Sequence, residues 1–282
     1  MSSSPGLAPL PLNDGHHLPA VGLGTFGMTG EAGIAVLVAG LRNGYRLLDT
    51  AVGYRNEAEV GEAIRRSGVP EAEVVVTTKI PGRGLGYDAA RRSIEQSLRT
   101  LGVSRIGLHL IHWPMPRLDR YVDTWRAMVD ARGDGQIRSI GVSNFTERHL
   151  TRVIGATGVP PAVNQIEVHP HYPQEEQRRV DRRLGIRTQS WSPLGHGREL
   201  LSSVEVVRPA DRLGVTPAQV VLRWHHQLGL LPVPRSSDPQ RQRDNLAIAG
   251  FELTVDEIGV LTALGRSGGR LWDADPETTG FM

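Results

Sequence analysis

Asp49, Tyr54, Lys79 and His112 stand at or just beyond the ends of three successive apolar runs, "YRLLDTA", "VVVTTKI" and "IGLHLIHW". If those runs are neighbouring strands, the four side chains converge on one point. Their chemistry is then mutually consistent. A free tyrosine has a pKa of about 10 and is a poor acid at neutral pH. A nearby ammonium favours the phenolate and lowers that pKa. An aspartate beside the lysine keeps it charged and fixed. A neutral histidine donates a hydrogen bond to an oxygen on which negative charge develops. Together they describe Tyr54 as the proton donor to a carbonyl undergoing reduction. Singly, each has a plainer role: Asp49 as a helix cap, Tyr54 as packing, His112 as a core histidine. The grouping at adjacent strand ends carries the reading.

Lys79 is also the only lysine in the chain; the other 31 of its 32 basic residues are arginine. Arginine is bulkier and planar, whereas lysine carries a compact ammonium on a narrow stem. A place between a carboxylate and a phenol suits the second.

Positioning these residues is the task of the surrounding elements. "LAPLPLNDGHHLPAVGLGT" holds an Asn13-Asp14-Gly15 turn between apolar segments, which predicts a β-hairpin within residues 1–19. Eight strand–helix units follow: "AVGLGT", the three runs above, "IRSIGVSN", "AVNQIEVHP", "RTQSWSP" and "LLPVPRS", each with a helical pattern after it. A single helical region through "TPAQVVLRWHHQLG" is expected between the last two strands. Many helices end on glycine, as helix C-termini prefer. The strands are continuous Val, Ile and Leu runs, as when both sheet faces are covered. No linker-like break interrupts the series. The expected fold is α/β, a (β/α)8 TIM barrel with an N-terminal hairpin, built as one domain over residues 1–282 with a polar tail at 265–282.

Composition narrows the function classes. Zero cysteines exclude disulfides, a cysteine nucleophile and thiolate metal sites. A net charge of +2, without a basic block interleaved with aromatics, gives no argument for nucleic acid. No run approaches the roughly 18 apolar residues of a membrane span, and the N-terminus lacks the regions of a signal peptide. A cytoplasmic monomer acting on a small molecule is expected. His169 and His171 have no supporting ligand pattern, so no metal is expected.

"GLGTFG", Gly22 to Gly27, matches G-x-G-x-x-G, with Asp49 at the end of the next strand. In a dinucleotide fingerprint the helix opens within the motif, so that its N–H groups face the pyrophosphate. Here Phe26, Met28, Thr29 and Gly30 delay the helix to about Glu31. A strand end followed by a glycine-rich loop fits better.

The chain resembles the aldo-keto reductase family over nearly its whole length. The resemblance rests on "LNDG" with "GLGT", "GYRLLDTAVGYRNE", "TTK", "LIHWP", "IGVSNF", "PAVNQIEVHP", "WSPLG" and "VPRSSDPQRQRDN", in that order and spacing. Among members, bacterial diketogluconate reductases look nearest. The resemblance implies a (β/α)8 barrel and an Asp49, Tyr54, Lys79, His112 tetrad. It also implies hydride transfer from a nicotinamide cofactor, usually NADPH, to an aldehyde or ketone. It assigns Ser143, Asn144 and Gln165, read as ending their strands, to the nicotinamide carboxamide, and Trp191 to stacking on the nicotinamide ring. It assigns Thr25, Asp49, Ser192 and Leu194 to the cofactor as well, with the "SPLGHG" loop around the pyrophosphate. Arg235 and Ser236 fall to the 2′-phosphate, Arg241 to the adenine face and Asn245 to its edge. Arg235 stands where the family usually has lysine. Asp238 departs from the usual threonine or arginine. Pointing inward, it would weaken NADPH preference and leave NADH possible; capping the helix at Pro239, it would be harmless. Phe26, Tyr54, His112 and Trp113 are the expected substrate contacts, with Gly53 leaving space and the tail around Trp272 as a mobile flap. The alternative is a regulatory barrel that binds the cofactor without significant turnover.

Overall fold

The computed structural model describes residues 7–272 and 274–279. The hairpin pairs β1 (Leu10–Pro11) with β2 (His17–Leu18) antiparallel. Its turn is fastened by Leu12 N–H donating to His16 O at 2.8 Å, with Gly15 at φ 85°. A side chain at that φ would be strained, which is why the turn carries glycine.

Eight parallel strands follow, paired in chain order: β3 (Leu23–Gly24), β4 (Leu47–Asp49), β5 (Val75–Ile80), β6 (Ile106–Ile111), β7 (Ile137–Ser143), β8 (Val163–Glu167), β9 (Arg187–Trp191) and β10 (Leu231–Pro232). Parallel neighbours need a crossover, and helices supply it. These are α1 (Gly30–Arg42), α2 (Glu57–Ser67), α3 (Tyr87–Leu101), α4 (Tyr121–Gly133), α5 (Glu147–Thr157) and α6 (Glu175–Arg183). Between β9 and β10 lie three helices where the sequence suggests one region: α7 (Arg198–Leu201), α8 (Val204–Leu213) and α9 (Pro217–Gln227). Helices α10 (Pro239–Leu246) and α11 (Val255–Thr262) come after β10. Among the described residues no helix is long and apolar enough to cross a membrane.

Strand residues alternate between two apolar clusters, because successive side chains point to opposite faces. Leu47 and Leu110 join the inner cluster, with Leu108, Val163, Leu231 and the hairpin's Leu12 and Leu18. Their neighbours Leu48 and Ile111 join the outer cluster beneath the helices, with Leu37, Ile94 and Trp125. Both faces are therefore covered, which is why apolar residues dominate strands such as β4 and β6 and why the polar strand residues that remain are buried and need partners.

The sheet curls until its edges meet. Gly22 N–H donates to Pro232 O and Gly24 N–H to Pro234 O, each at 3.0 Å. The approach explains the glycines. A Cβ on Gly22 would lie 2.8 Å from Val233 Cγ1, and one on Gly24 would lie 3.1 Å from Val233 O. Gly27 turns at φ 75°, and α1 opens only at Gly30. "GLGTFG" is thus a seam and a turn. Gly22→Ala should cost about 1–3 kcal/mol through overpacking; equilibrium urea unfolding checks it, and an unchanged midpoint would contradict the seam.

Candidate active site

The site sits at the C-terminal ends of β4 to β9. Asp49 ends β4, and Lys79 is the penultimate residue of β5. Both are buried, and Lys79 has no exposed surface. Lys79 Nζ donates to Asp49 Oδ2 at 2.8 Å and to Thr50 O at 2.9 Å. Burial opposes the ammonium, but its neighbours, the Asp49 carboxylate foremost, outweigh that and hold the Lys79 pKa above its ordinary value. The lysine is therefore permanently charged at neutral pH.

Tyr54 ends a single 3-10 turn, Val52–Tyr54, that follows β4. Lys79 Nζ lies 5.0 Å from its ring centroid. Phe26 meets the ring edge-on at 5.1 Å and His112 at 5.9 Å. The phenol departs from the sequence-based expectation. Burial raises its pKa above the ordinary value; Lys79 pulls it down, Asp49 pushes it up, and the net direction is upward. Desolvation of the phenolate outweighs the ammonium here. Tyr54 accordingly keeps its proton through the neutral range, and the Lys79 charge limits the rise without reversing it.

His112 lies one residue beyond β6, its N–H donating to Ile80 O at 3.1 Å. Burial, then the Lys79 charge, pushes its pKa down to about 3. The imidazole is neutral at working pH and can donate one hydrogen bond to an incoming oxygen.

Gln165 is placed differently from the sequence reading. It lies inside β8, two residues before Glu167 ends the strand. Its amide nitrogen donates to Asp49 Oδ1 at 2.8 Å and to Gln189 Oε1 at 2.7 Å. Both N–H groups are spent, which leaves its carbonyl oxygen for a ligand. Asp49 thus receives Lys79 on one oxygen and Gln165 on the other. Ser143 ends β7, and its hydroxyl donates to Gln165 O at 2.7 Å. Asn144 sits at φ 61° and donates to His112 O at 3.0 Å and to Ser143 Oγ at 3.1 Å. Its Oδ1 accepts from Trp191 Nε1 at 2.9 Å. The Asn144 donors are committed, so its oxygen is what remains for a carboxamide N–H.

Thr25 is fully buried, its hydroxyl donating to Asp49 O at 3.1 Å. It supports the site from beneath. Asn56 does more, and sequence reasoning missed it. Its amide nitrogen donates to Thr25 O at 2.8 Å and Met28 O at 3.1 Å, while its oxygen accepts from Thr50 at 2.7 Å. One side chain ties the loop after β3 to the loop after β4. The available signal was its place in "GYRNE", two residues after Tyr54.

Along the expected cofactor cleft, Trp191 ends β9 half-buried. Ser192 and His196 take positive φ of 46° and 52°, and Leu194 packs on the core between them. Arg235 is exposed beyond β10, its Nη2 3.4 Å from where a Cβ on Gly27 would sit. Among the described residues it has no carboxylate and no hydrogen-bond partner. Ser236 is buried and bonded locally, its hydroxyl accepting from Asp238 N–H at 3.3 Å. Asp238 caps α10: its Oδ1 accepts from Gln240 N–H at 2.8 Å and Arg241 N–H at 3.0 Å. Those bonds, the Arg241 N–H foremost, hold its carboxyl below the usual range. Arg241 is exposed, with Nη1 3.6 Å from Asp238 Oδ2. Asn245 is buried, and the nearby Tyr45 hydroxyl donates to Gln242 O at 3.3 Å. Trp113 lies half-buried next to His112.

A free guanidinium at the last strand end, a half-buried indole and amide oxygens with spare lone pairs fit the parts of a dinucleotide. The fold is α/β, and a buried ion pair lies beside a tyrosine at the ends of its strands. The sequence pattern of the Aldo/keto reductase family matches residues 20–202. The chain belongs to that family. It is 52% identical over 274 residues to "2,5-diketo-D-gluconic acid reductase B" of Corynebacterium sp. (strain SHS752001), covering 97% of this chain and 98% of the relative. It is 40% identical over 270 residues to "Putative methylglyoxal reductase DkgA" of Salmonella typhi, covering 95% and 97%. Among solved structures, an aspartate-to-alanine mutant of Gox0644 in complex with NADPH superposes with a TM-score of 0.93 at 40% identity, covering 98% of this chain and 100% of that one.

The Tyr54 reading is checked by optical titration of the phenolate band, wild type minus Tyr54→Phe. Tyr54 should ionise only above pH 10, and the transition should move further upward in Lys79→Met as the attractive charge is lost. A transition below pH 9 would contradict it.

Proposed function

We propose that the protein is an NADPH-dependent carbonyl reductase on a closed (β/α)8 barrel, acting as a cytoplasmic monomer. The observation that carries the reading is the buried Lys79–Asp49 pair beside Tyr54, with neutral His112 edge-on to the phenol ring at 5.9 Å. Bound NADPH would supply a hydride to the carbonyl carbon. Tyr54 donates its proton to the carbonyl oxygen as negative charge builds there, which completes the alcohol. Lys79 favours the phenolate left behind, and Asp49 holds the ammonium in place. His112 supplies a second N–H toward the same oxygen. Trp191 offers an indole face to the nicotinamide. The oxygens of Gln165 and Asn144 accept from its carboxamide. Phe26 and Trp113 stand as walls for the substrate.

Cofactor choice follows from the two charges after β10. Asp238 is occupied as a helix cap, so its charge is committed to backbone N–H groups. Arg235 retains its full donor set, and its fork suits a phosphate. NADPH is therefore preferred. Arg235→Ala should raise the NADPH Kd about 10- to 100-fold through loss of a charge-assisted contact, with a smaller effect on NADH. Equal losses for both cofactors would remove the 2′-phosphate assignment.

The relatives' names supply the first carbonyls to try. Purified protein is mixed with 2,5-diketo-D-gluconate or methylglyoxal, with NADPH and NADH in parallel, and reduced-nicotinamide absorbance is followed. NADPH consumption is expected. Tight binding without consumption for any carbonyl would favour the regulatory alternative. Tyr54→Phe should keep its NADPH affinity and lose roughly 100-fold or more in turnover; retained turnover would remove Tyr54 as the acid.

A further inference from the structure

The glycine-rich tail, expected as a mobile flap, is tied down at several points. The Arg266 guanidinium meets both Glu199 oxygens, at 2.7 and 3.1 Å. Arg270 donates to the Tyr172 hydroxyl at 2.9 Å. Leu271 N–H donates to Glu167 Oε1 at 2.7 Å, and His169 Nε2 lies 3.0 Å from the same oxygen. Further on, Glu277 accepts from Thr146 Oγ1 at 2.6 Å and pairs with Arg148. Glu167 is buried at the end of β8, so the chain just before Trp272 is held by the rigid sheet.

Trp272 stands among these anchors. Its indole stacks on Trp191, with centroids 5.4 Å apart and planes 19° apart. His196 meets it edge-on at 5.1 Å. His196 Nε2 lies 3.1 Å from Ser192 Oγ, across the loop after β9. That loop holds two non-glycine residues at positive φ, Ser192 and His196. Such conformations persist only where surrounding contacts fix them. On its other flank Trp191 donates to Asn144, which donates to the carbonyl of His112. Three contacts therefore link the tail to the backbone of the catalytic histidine.

We propose that Trp272 is a positioning residue for the cofactor cleft. It clamps one face of Trp191 and the edge of the 192–197 loop, and leaves the second face of Trp191 to the nicotinamide. The cofactor half of this proposal rests on the reductase reading; the clamp itself does not.

The test compares Trp272→Ala and Trp272→Phe with the wild type. Without cofactor, hydrogen exchange is measured on peptides spanning residues 192–197, and circular dichroism reads the exciton couplet of the stacked indoles. NADPH affinity is then titrated, and KM and kcat are measured with methylglyoxal. Trp272→Ala should lose the couplet and exchange several-fold faster in that loop, with global Tm little changed. It should weaken NADPH by about three- to tenfold, the worth of a stacked aromatic pair, with KM for NADPH moving more than kcat. Trp272→Phe should keep most of the affinity. Unchanged loop exchange would overturn the clamp. Tighter NADPH binding in Trp272→Ala would also overturn the proposal, because Trp272 would then be covering the face that nicotinamide needs. If the wild type fails to bind NADPH, the reductase reading falls, while exchange and the couplet still decide the clamp.

Discussion

A lysine ammonium with no exposed surface needs a counter-charge within hydrogen-bond reach, because removing either partner of a buried pair costs several kcal/mol. The Lys79–Asp49 contact meets that need, and much of the site is arranged around it. Pairing of β4 with β5 sets Asp49 opposite Thr77, which puts Lys79 two residues further on and on the same face. Gln165 crosses from β8 to hold the second Asp49 oxygen. Thr50 gives the ammonium a carbonyl. Each contact fixes the charge at a set distance from the Tyr54 ring.

The same pair explains how one site can hold a neutral acid and a neutral histidine beside a cation. Burial raises the phenol and lowers the imidazole, so both stay uncharged in the same pH range. Lysine suits this arrangement because its charge is compact. A planar guanidinium would need more acceptors than Asp49 and the Thr50 carbonyl provide. A chain that uses arginine at its other 31 basic positions keeps lysine where the space is narrow.

Much of this was legible in the sequence. The strand order, the hairpin and the four polar residues at strand ends follow from apolar runs and their interruptions. The helix cap at Asp238 was one of two readings that an Asp-Pro pair allows. What stayed hidden depends on curvature and burial. Gln165 reaches Asp49 across 116 residues of chain, and only a curled sheet brings those strands face to face. Asn56 joins two loops that are separate in sequence. The upward direction of the Tyr54 pKa needs the degree of burial, which no residue type reveals. The three glycines of "GLGTFG" imitate a phosphate loop until the chain at the end of the last strand is seen packing against Gly22 and Gly24.

The central claim is that a compact ammonium at position 79, and not positive charge alone, is what Tyr54 requires in its proposed role as proton donor. Carbonyl reduction by Lys79→Arg, measured beside its NADPH affinity, tests it most directly. The account predicts near-complete loss of turnover with NADPH binding retained. Turnover equal to the wild type would contradict it.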